Sequence, residues 1–343
     1  MRTAVAVVVG GISLVASLSI SPANAGAQGS KPIVTLETSQ RYFNPVAVFA
    51  HGQYLWVADN SAGPQHHGGI YRIDIATGQS LPIFSSLFDD PLWIYSDGTD
   101  LWIANQDGGA IVNGNWAGSI LKLNIATNKL TKIVSTAIVG PTQMTSDGKY
   151  LWFMGSGSEI LRLNIATNAI SVNNSPLTAG ESVIASDRNY VWVGGARLLR
   201  ISKVTDKIKV IDPNRLTDIN SLISDGTHLW VRWGNRHLVE LNIATGALKS
   251  TYNPMFEFND GLATNGHDVW MTDYYNRTLL QFDAATGKVT EINSPLYSAL
   301  GAKLEQQIFA ITSEGKHVWV TTGCSGLANG QPKACGTVVK ITP

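Results

Sequence analysis

The sequence predicts an all-β fold, a seven-bladed β-propeller of four-stranded blades, and three observations predict it. First, seven tryptophans sit on aliphatic-Trp-aliphatic runs at Trp56, Trp102, Trp152, Trp192, Trp230, Trp270 and Trp319. Their spacings of 46, 50, 40, 38, 40 and 49 residues suit one blade per repeat. Second, a column five residues earlier reads His51, Asp97, Asp147, Asp187, Asp225, Asn265 and Glu314, and six of these precede glycine. An acid followed by glycine between two β-rich runs signals a tight hairpin, because glycine accepts positive φ and the carboxylate bonds the turn backbone. Third, the last repeat supplies only three strands, ending at Val338-Val339-Lys340-Ile341, while an orphan strand, residues 32–37, precedes the first repeat. Pairing the two closes the ring and removes an open edge.

Taken in chain order, Met1-Arg2, an apolar run from Ala4 to Ile20 and Ala23-Asn24-Ala25 have the three-part plan of a secretory signal over residues 1–25. That run is too short for a comfortable membrane span. The expectation is a secreted or periplasmic chain, with residues 26–343 forming a single propeller whose blade 7 is residues 306–343 plus strand 32–37. Each repeat then reads as strands A to D in a meander. The tryptophan lies on strand B, packed between neighbouring blades. Strand C ends in a turn such as Asp74-Ile75-Ala76-Thr77-Gly78, whose last residue tolerates left-handed backbone. Blade 4 departs from that pattern, with Lys203-Val204-Thr205-Asp206 in place of Ala-Thr-Gly.

Lys plus Arg equals Asp plus Glu at 25 each, with no block of either sign, which gives no electrostatic case for nucleic acid. Cys324 and Cys335 lie in one loop of the last repeat, and in an oxidising compartment they are expected to form a disulfide. No nucleophile elbow, HExxH helix or phosphate loop appears.

A site is expected on the face carrying the B–C and D–A connections, because the long loops fall there: residues 58–69, 104–118 and 321–336, with an insertion at about 293–306. Polar residues at the starts of strand A, including Asn44, Asp90, Glu181, Asn220, Asn259, Asp260 and Gln307, line up with others at the ends of strand B, including Asp59, Asn60, Asn105, Arg232, Trp233, Asp273 and Tyr274. Exposed aromatics on this face, Trp116, Trp233 and Tyr274, suit stacking on a sugar, peptide or aromatic group. The partner-binding set is therefore Asp59, Asn105, Trp116, Arg232, Trp233 and Tyr274. A tentative metal set is Glu181, Asn220, Asp260 and Asp273, since Ca²⁺ or Mg²⁺ takes about six oxygens from such residue types. The bland alternative is a polar, water-filled channel. Adjacent histidines such as His66-His67 point apart on an extended chain and make poor joint ligands.

The recurrent Asp-Gly-x-x-Leu-Trp-Ile/Val of residues 97–103, with Ile-Tyr-Arg-Ile-Asp and Thr-Gly in residues 70–78, resembles the blade pattern of the YVTN, NHL and streptogramin (virginiamycin B) lyase-like propellers. The resemblance covers nearly the whole mature chain. It implies a propeller and, through the lyases, catalytic His and Glu beside Mg²⁺ after a Thr-Glu pair. The equivalent positions here read Ala58-Asp59, Ala104-Asn105, Met154-Gly155, Gly194-Gly195, Arg232-Trp233, Thr272-Asp273 and Thr321-Thr322, and none is Thr-Glu. Gluconolactonase-like propellers hold a divalent ion with Glu, Asn and Asp, residue types that Glu181, Asn220, Asp260 and Asp273 offer. The reading is an exported monomeric scaffold that binds a protein, peptide or carbohydrate through its long-loop face. The alternative is a Ca²⁺- or Mg²⁺-assisted lactonase- or lyase-like enzyme with its site in the central channel.

Overall fold

The computed structural model describes residues 32–342 except 39, 107–110, 113–114, 156, 158, 174, 213–215, 235, 257–258, 274–275, 295, 297–304 and 326–335. Side chains at 64, 111–112, 115–116, 259–260, 305–307 and 324–325 also fall outside the description. Seven antiparallel sheets follow one another along the chain. Strands A, from blade 1 to blade 7, are Pro45–His51, Pro91–Ser96, Met144–Ser146, Glu181–Ser186, Ile219–Ser224, Asn259–Thr264 and Glu305–Glu314. Strands B are Tyr54–Asp59, Asp100–Asn105, Tyr150–Met154, Tyr190–Gly195, His228–Trp233, Asp268–Asp273 and His317–Ser325.

The ring closes as the sequence predicts. Ile33–Leu36 pairs with Thr337–Thr342, placing Ile33 opposite Thr342 and Leu36 opposite Val339, and it forms the outer strand of blade 7. Each strand-B tryptophan lies in a separate apolar cluster with residues of the following blade: Trp56 against Ile94 and Leu101, Trp192 against Leu229 and Val231, Trp319 against Val48 and Leu55. All seven are at most 3 % exposed. Burying an aromatic of this size removes about 200 Å² from water, so the seven wedges hold the ring together.

The turn acids do more than shape the hairpin. Asp187 accepts the backbone N–H groups of Asn189 and Tyr190 at 2.6 and 2.9 Å through Oδ1, and the Trp192 indole N–H at 2.5 Å through Oδ2. Asp97, Asp147 and Asp225 repeat the arrangement on Trp102, Trp152 and Trp230 at 2.9, 2.8 and 3.0 Å. Blade 7 has Glu314 at this position, which reaches instead to the Gly52 N–H of blade 1 at 2.8 Å. The Trp319 indole is served by Glu37 of the closing strand at 3.0 Å, with Lys340 3.7 Å from the same carboxylate. Desolvation pushes the Glu37 carboxyl up, against the Trp319 hydrogen bond and the Lys340 charge. In blades 1 and 6, where the column holds His51 and Asn265, the indole N–H groups of Trp56 and Trp270 are buried without a partner.

The irregular blade 4 turn proves geometrically regular. Asp206 takes φ 55° where the other blades place Gly78, Asn128, Asn168, Gly246 and Gly287 at 56–74°. The Ser202 hydroxyl accepts the Thr205 N–H as the Asp74 carboxylate accepts that of Thr77. A short polar side chain at both ends suffices, because the turn needs one acceptor and one residue tolerant of positive φ. In blades 1, 2, 4, 5, 6 and 7 strand A also carries a bulge near its first residue, as between Pro45 and Ala47, Glu181 and Val183, and Ile308 and Ala310. Bulges re-aim side chains at sheet ends, here at the loop face.

Candidate loop-face binding site

The loop face of blades 1 and 2 is built on carboxylates and amides that bond backbone. Asp59, fully buried at the end of strand B, accepts the N–H groups of Phe43, Asn44 and Ser61 at 2.7, 2.9 and 3.1 Å. Burial raises its pKa, and the three backbone donors oppose the rise. Asn105 holds the same position in blade 2 and accepts the Asp89 N–H at 2.8 Å while its amide faces Ser119. A chain of side chains joins the two blades. Asn44 donates to Asn60 at 2.8 Å and Asn60 donates to Asp90 at 2.8 Å. These contacts tie each strand-B end to the D–A connection beside it, so the residues act on loop geometry.

Arg232 plays a similar part in blade 5. Only 1 % exposed, it donates to the carbonyls of His237 and Phe256 at 3.2 and 2.9 Å, binding the B–C hairpin to the following D–A connection. Beside it, strand register places Trp233 opposite His237 and His237 opposite Tyr252. The ring centroids are 4.7 Å apart for Trp233 and His237 and 5.4 Å apart for His237 and Tyr252. Tyr252 is 58 % exposed and Met255, three residues on, is 37 % exposed. A row of rings in tilted contact, with interplanar angles of 39° and 59°, thus crosses the loop-side end of blade 5. Trp233 was legible in the sequence. His237 and Tyr252 were not, although both fall at strand ends that the antiparallel register brings level with it.

Glu181, Asn220 and Asp273 belong to three successive blades. Glu181 starts strand A of blade 4, opposite Gly195, and is 1 % exposed. Its carboxylate oxygens make no hydrogen bond, and the Arg197 guanidinium stands 3.5 Å away. Desolvation lifts its pKa to about 7, with Arg197 pulling it down. Asn220 is the exposed, bulged residue of blade 5. Asp273, buried, accepts the backbone N–H and side-chain amide of Asn276, both at 2.9 Å. Neither Glu181, Asn220 nor Asp273 is in the wall of the central cavity. The side chains of Trp116 and Asp260, the residue Tyr274, and the Cys324–Cys335 pairing fall outside the described residues.

Among the described residues, one group of three metal-type ligands has its atoms within 4.8 Å of one another: His267, Asp268 and Asp283. It excludes Glu181 and Asp273 and sits on the A–B turn side of blade 6. Its members are engaged locally. His267 Nδ1 lies 3.0 Å from Asp268, whose other oxygen accepts the Gln281 amide, and Asp283 caps the N–H groups of Ala285 and Thr286. The Asp268 hydrogen bond raises the His267 pKa, and the Thr286 N–H lowers that of Asp283.

No protein-family model matches the sequence, and no curated protein matches it. Solved structures do. The β-propeller domain of Cps50 (Swd1) from Myceliophteria thermophila is similar with a TM-score of 0.65 at 13 % identity, over 90 % of this chain and 99 % of that one. The extracellular domain of the one component system BT4673 from B. thetaiotaomicron is similar with a TM-score of 0.62 at 13 % identity, over 89 % of this chain. This chain spans only 41 % of that domain's length. A chain of the nidogen/laminin complex is similar with a TM-score of 0.53 at 12 % identity, over 77 % and 96 % of the two chains. At such identities the likeness carries the propeller fold and nothing of activity.

Proposed function

We propose that the protein is an exported, non-catalytic binding scaffold, of the YVTN- and NHL-like kind, that takes a protein, peptide or carbohydrate partner on its loop face. The aromatic row Trp233–His237–Tyr252 carries this reading. Partly exposed rings in contact offer apolar surface with polar edges, at low entropic cost to the side chains that form it. The support beneath the row agrees. Arg232 holds the adjoining loops through two backbone carbonyls, and Asp59 and Asn105 do the same in blades 1 and 2. Loops fixed in this way present a preorganised face, which lowers the ordering cost of binding. Export rests on the apolar leader and the small residues that follow it.

The test is binding of the mature protein to panels of oligosaccharides and of peptides, read by tryptophan fluorescence and titration calorimetry. A ligand from either panel should lose at least 10-fold in affinity with Trp233→Ala or Tyr252→Ala, with the melting temperature of each variant nearly unchanged. A ligand bound equally well by both variants would move the site away from blade 5.

A further inference from the structure

The seven strands A enclose a cavity of about 660 Å³ on the ring axis, within the usual range of about 300–1,000 Å³ for small-molecule sites. It runs from the strand-A bulges, at Val46, Gly261 and Phe309, to the A–B turns, at Asp225, Gly266 and Gly315. Those turns bound it on the face opposite the long loops.

Polar and apolar side chains both line its walls, with the apolar share the larger. Val46, Val48, Met144, Ile184, Leu262 and Phe309 face the cavity, together with the Tyr95 ring, which packs 5.1 Å from Phe49.

The polar side chains in the wall tie one blade to another. Gln143 accepts the Ile184 N–H at 3.2 Å, Thr145 and Ser186 bond at 2.7 Å, and Ser186 donates to the Ser146 carbonyl at 2.9 Å. Ser313 donates to the Thr264 carbonyl at 2.7 Å, and Thr312 accepts the Ala50 N–H at 3.3 Å. At the mouth the Asp225 carboxylate is taken up by Thr227, His228 and Trp230. A sugar or hydrated ion would have to displace these bonds or leave its own polar groups unpaired, at about 1–3 kcal/mol for each neutral group. Among the described lining residues, one buried side-chain oxygen has no hydrogen-bond partner: Glu314 Oε2 at the rim. That oxygen is shielded from solvent and so presents no acceptor to the cavity.

We propose that this cavity binds a neutral, mainly apolar small molecule of a few fused or linked rings, entering between the A–B turns. The site is separate from the loop face, so either proposal stands or falls without the other.

The probe is N-phenyl-1-naphthylamine, a neutral two-part aromatic with one N–H that brightens in apolar surroundings. Wild-type protein should bind it saturably at one per chain, and its melting temperature should rise with probe concentration. Val46→Trp and Leu262→Trp, each placing a large ring in the cavity, should weaken binding at least 10-fold. Trp233→Ala, on the other face, should leave it unchanged. Absence of saturable binding or of a thermal shift in the wild type would overturn the proposal, even if the filled variants failed to fold. So would undiminished binding in folded Val46→Trp and Leu262→Trp, or displacement of the probe by sugars or Ca²⁺.

Discussion

Glu181→Gln should make the protein more stable at pH 8 and leave it unchanged at pH 4. The carboxyl is 1 % exposed, its oxygens make no hydrogen bond, and its partner Arg197 is 3.5 Å away. Desolvation therefore outweighs ion pairing, and the pKa rises from 4.5 to about 7. The native state keeps a proton over that interval while the unfolded chain releases it. The stabilising contribution is complete below pH 4.5, falls as pH rises to about 7, and is gone above. A displacement of this size is worth about 3 kcal/mol, at 1.36 kcal/mol for each pH unit. Glutamine has the same shape and never ionises, so the variant escapes the loss. Every other titrating group is common to both proteins and cancels in the difference. Urea melts of the two proteins at pH 4, 5, 6, 7 and 8 measure it. The variant's advantage should grow from near zero to about 3 kcal/mol, or about 5 °C in Tm for a domain of this length. A difference that does not change with pH, or a variant less stable at pH 8, would refute the reasoning by showing that Arg197 already compensates the buried charge.

The Trp–Asp pairs give a second test: Trp192→Phe should cost about 1–3 kcal/mol more than Trp270→Phe in chemical melts, because the first strands the buried Asp187 acceptor and the second removes an N–H that had no partner. Equal costs would mean that the indole hydrogen bond contributes nothing. Glu37→Ala should destabilise the fold by about 1–3 kcal/mol and speed proteolysis near residue 37, since Glu37 serves both the Trp319 indole and Lys340 at the closure of the ring. Intact resistance to protease would argue that strand pairing alone fastens the terminus. Gly118→Ala should cost at least about 1–3 kcal/mol, because a Cβ there would stand 2.1 Å from Pro141 Cδ of the next blade. The contact recurs between Gly68 and Pro91 at 2.3 Å, and a Gly118→Ala variant as stable as wild type would show that the proline gives way.

What the sequence by itself determined is the part of the molecule that repeats. The strand-B wedges recur seven times and the polar A–B turns nearly as regularly, each written locally, and from that count follow the blade number and the pairing of the two chain ends. A hairpin depends on residues a few positions apart, and repetition averages out exceptions such as Asp206. The candidate site was legible only as residue types at strand ends. Asp59, Asn105 and Arg232 stood out as polar residues on the loop face, but the backbone groups that engage them come from neighbouring connections, at sequence distances such as 15, 16 and 24. Tertiary structure alone decided that these side chains fasten loops, that His237 and Tyr252 lie in ring contact with Trp233, and that polar side chains along the axis bond from blade to blade. The physical reason is that a side chain's role depends on what saturates its polar atoms. In a ring of blades those partners come from the next sheet, through strand registers and bulges that no local pattern specifies.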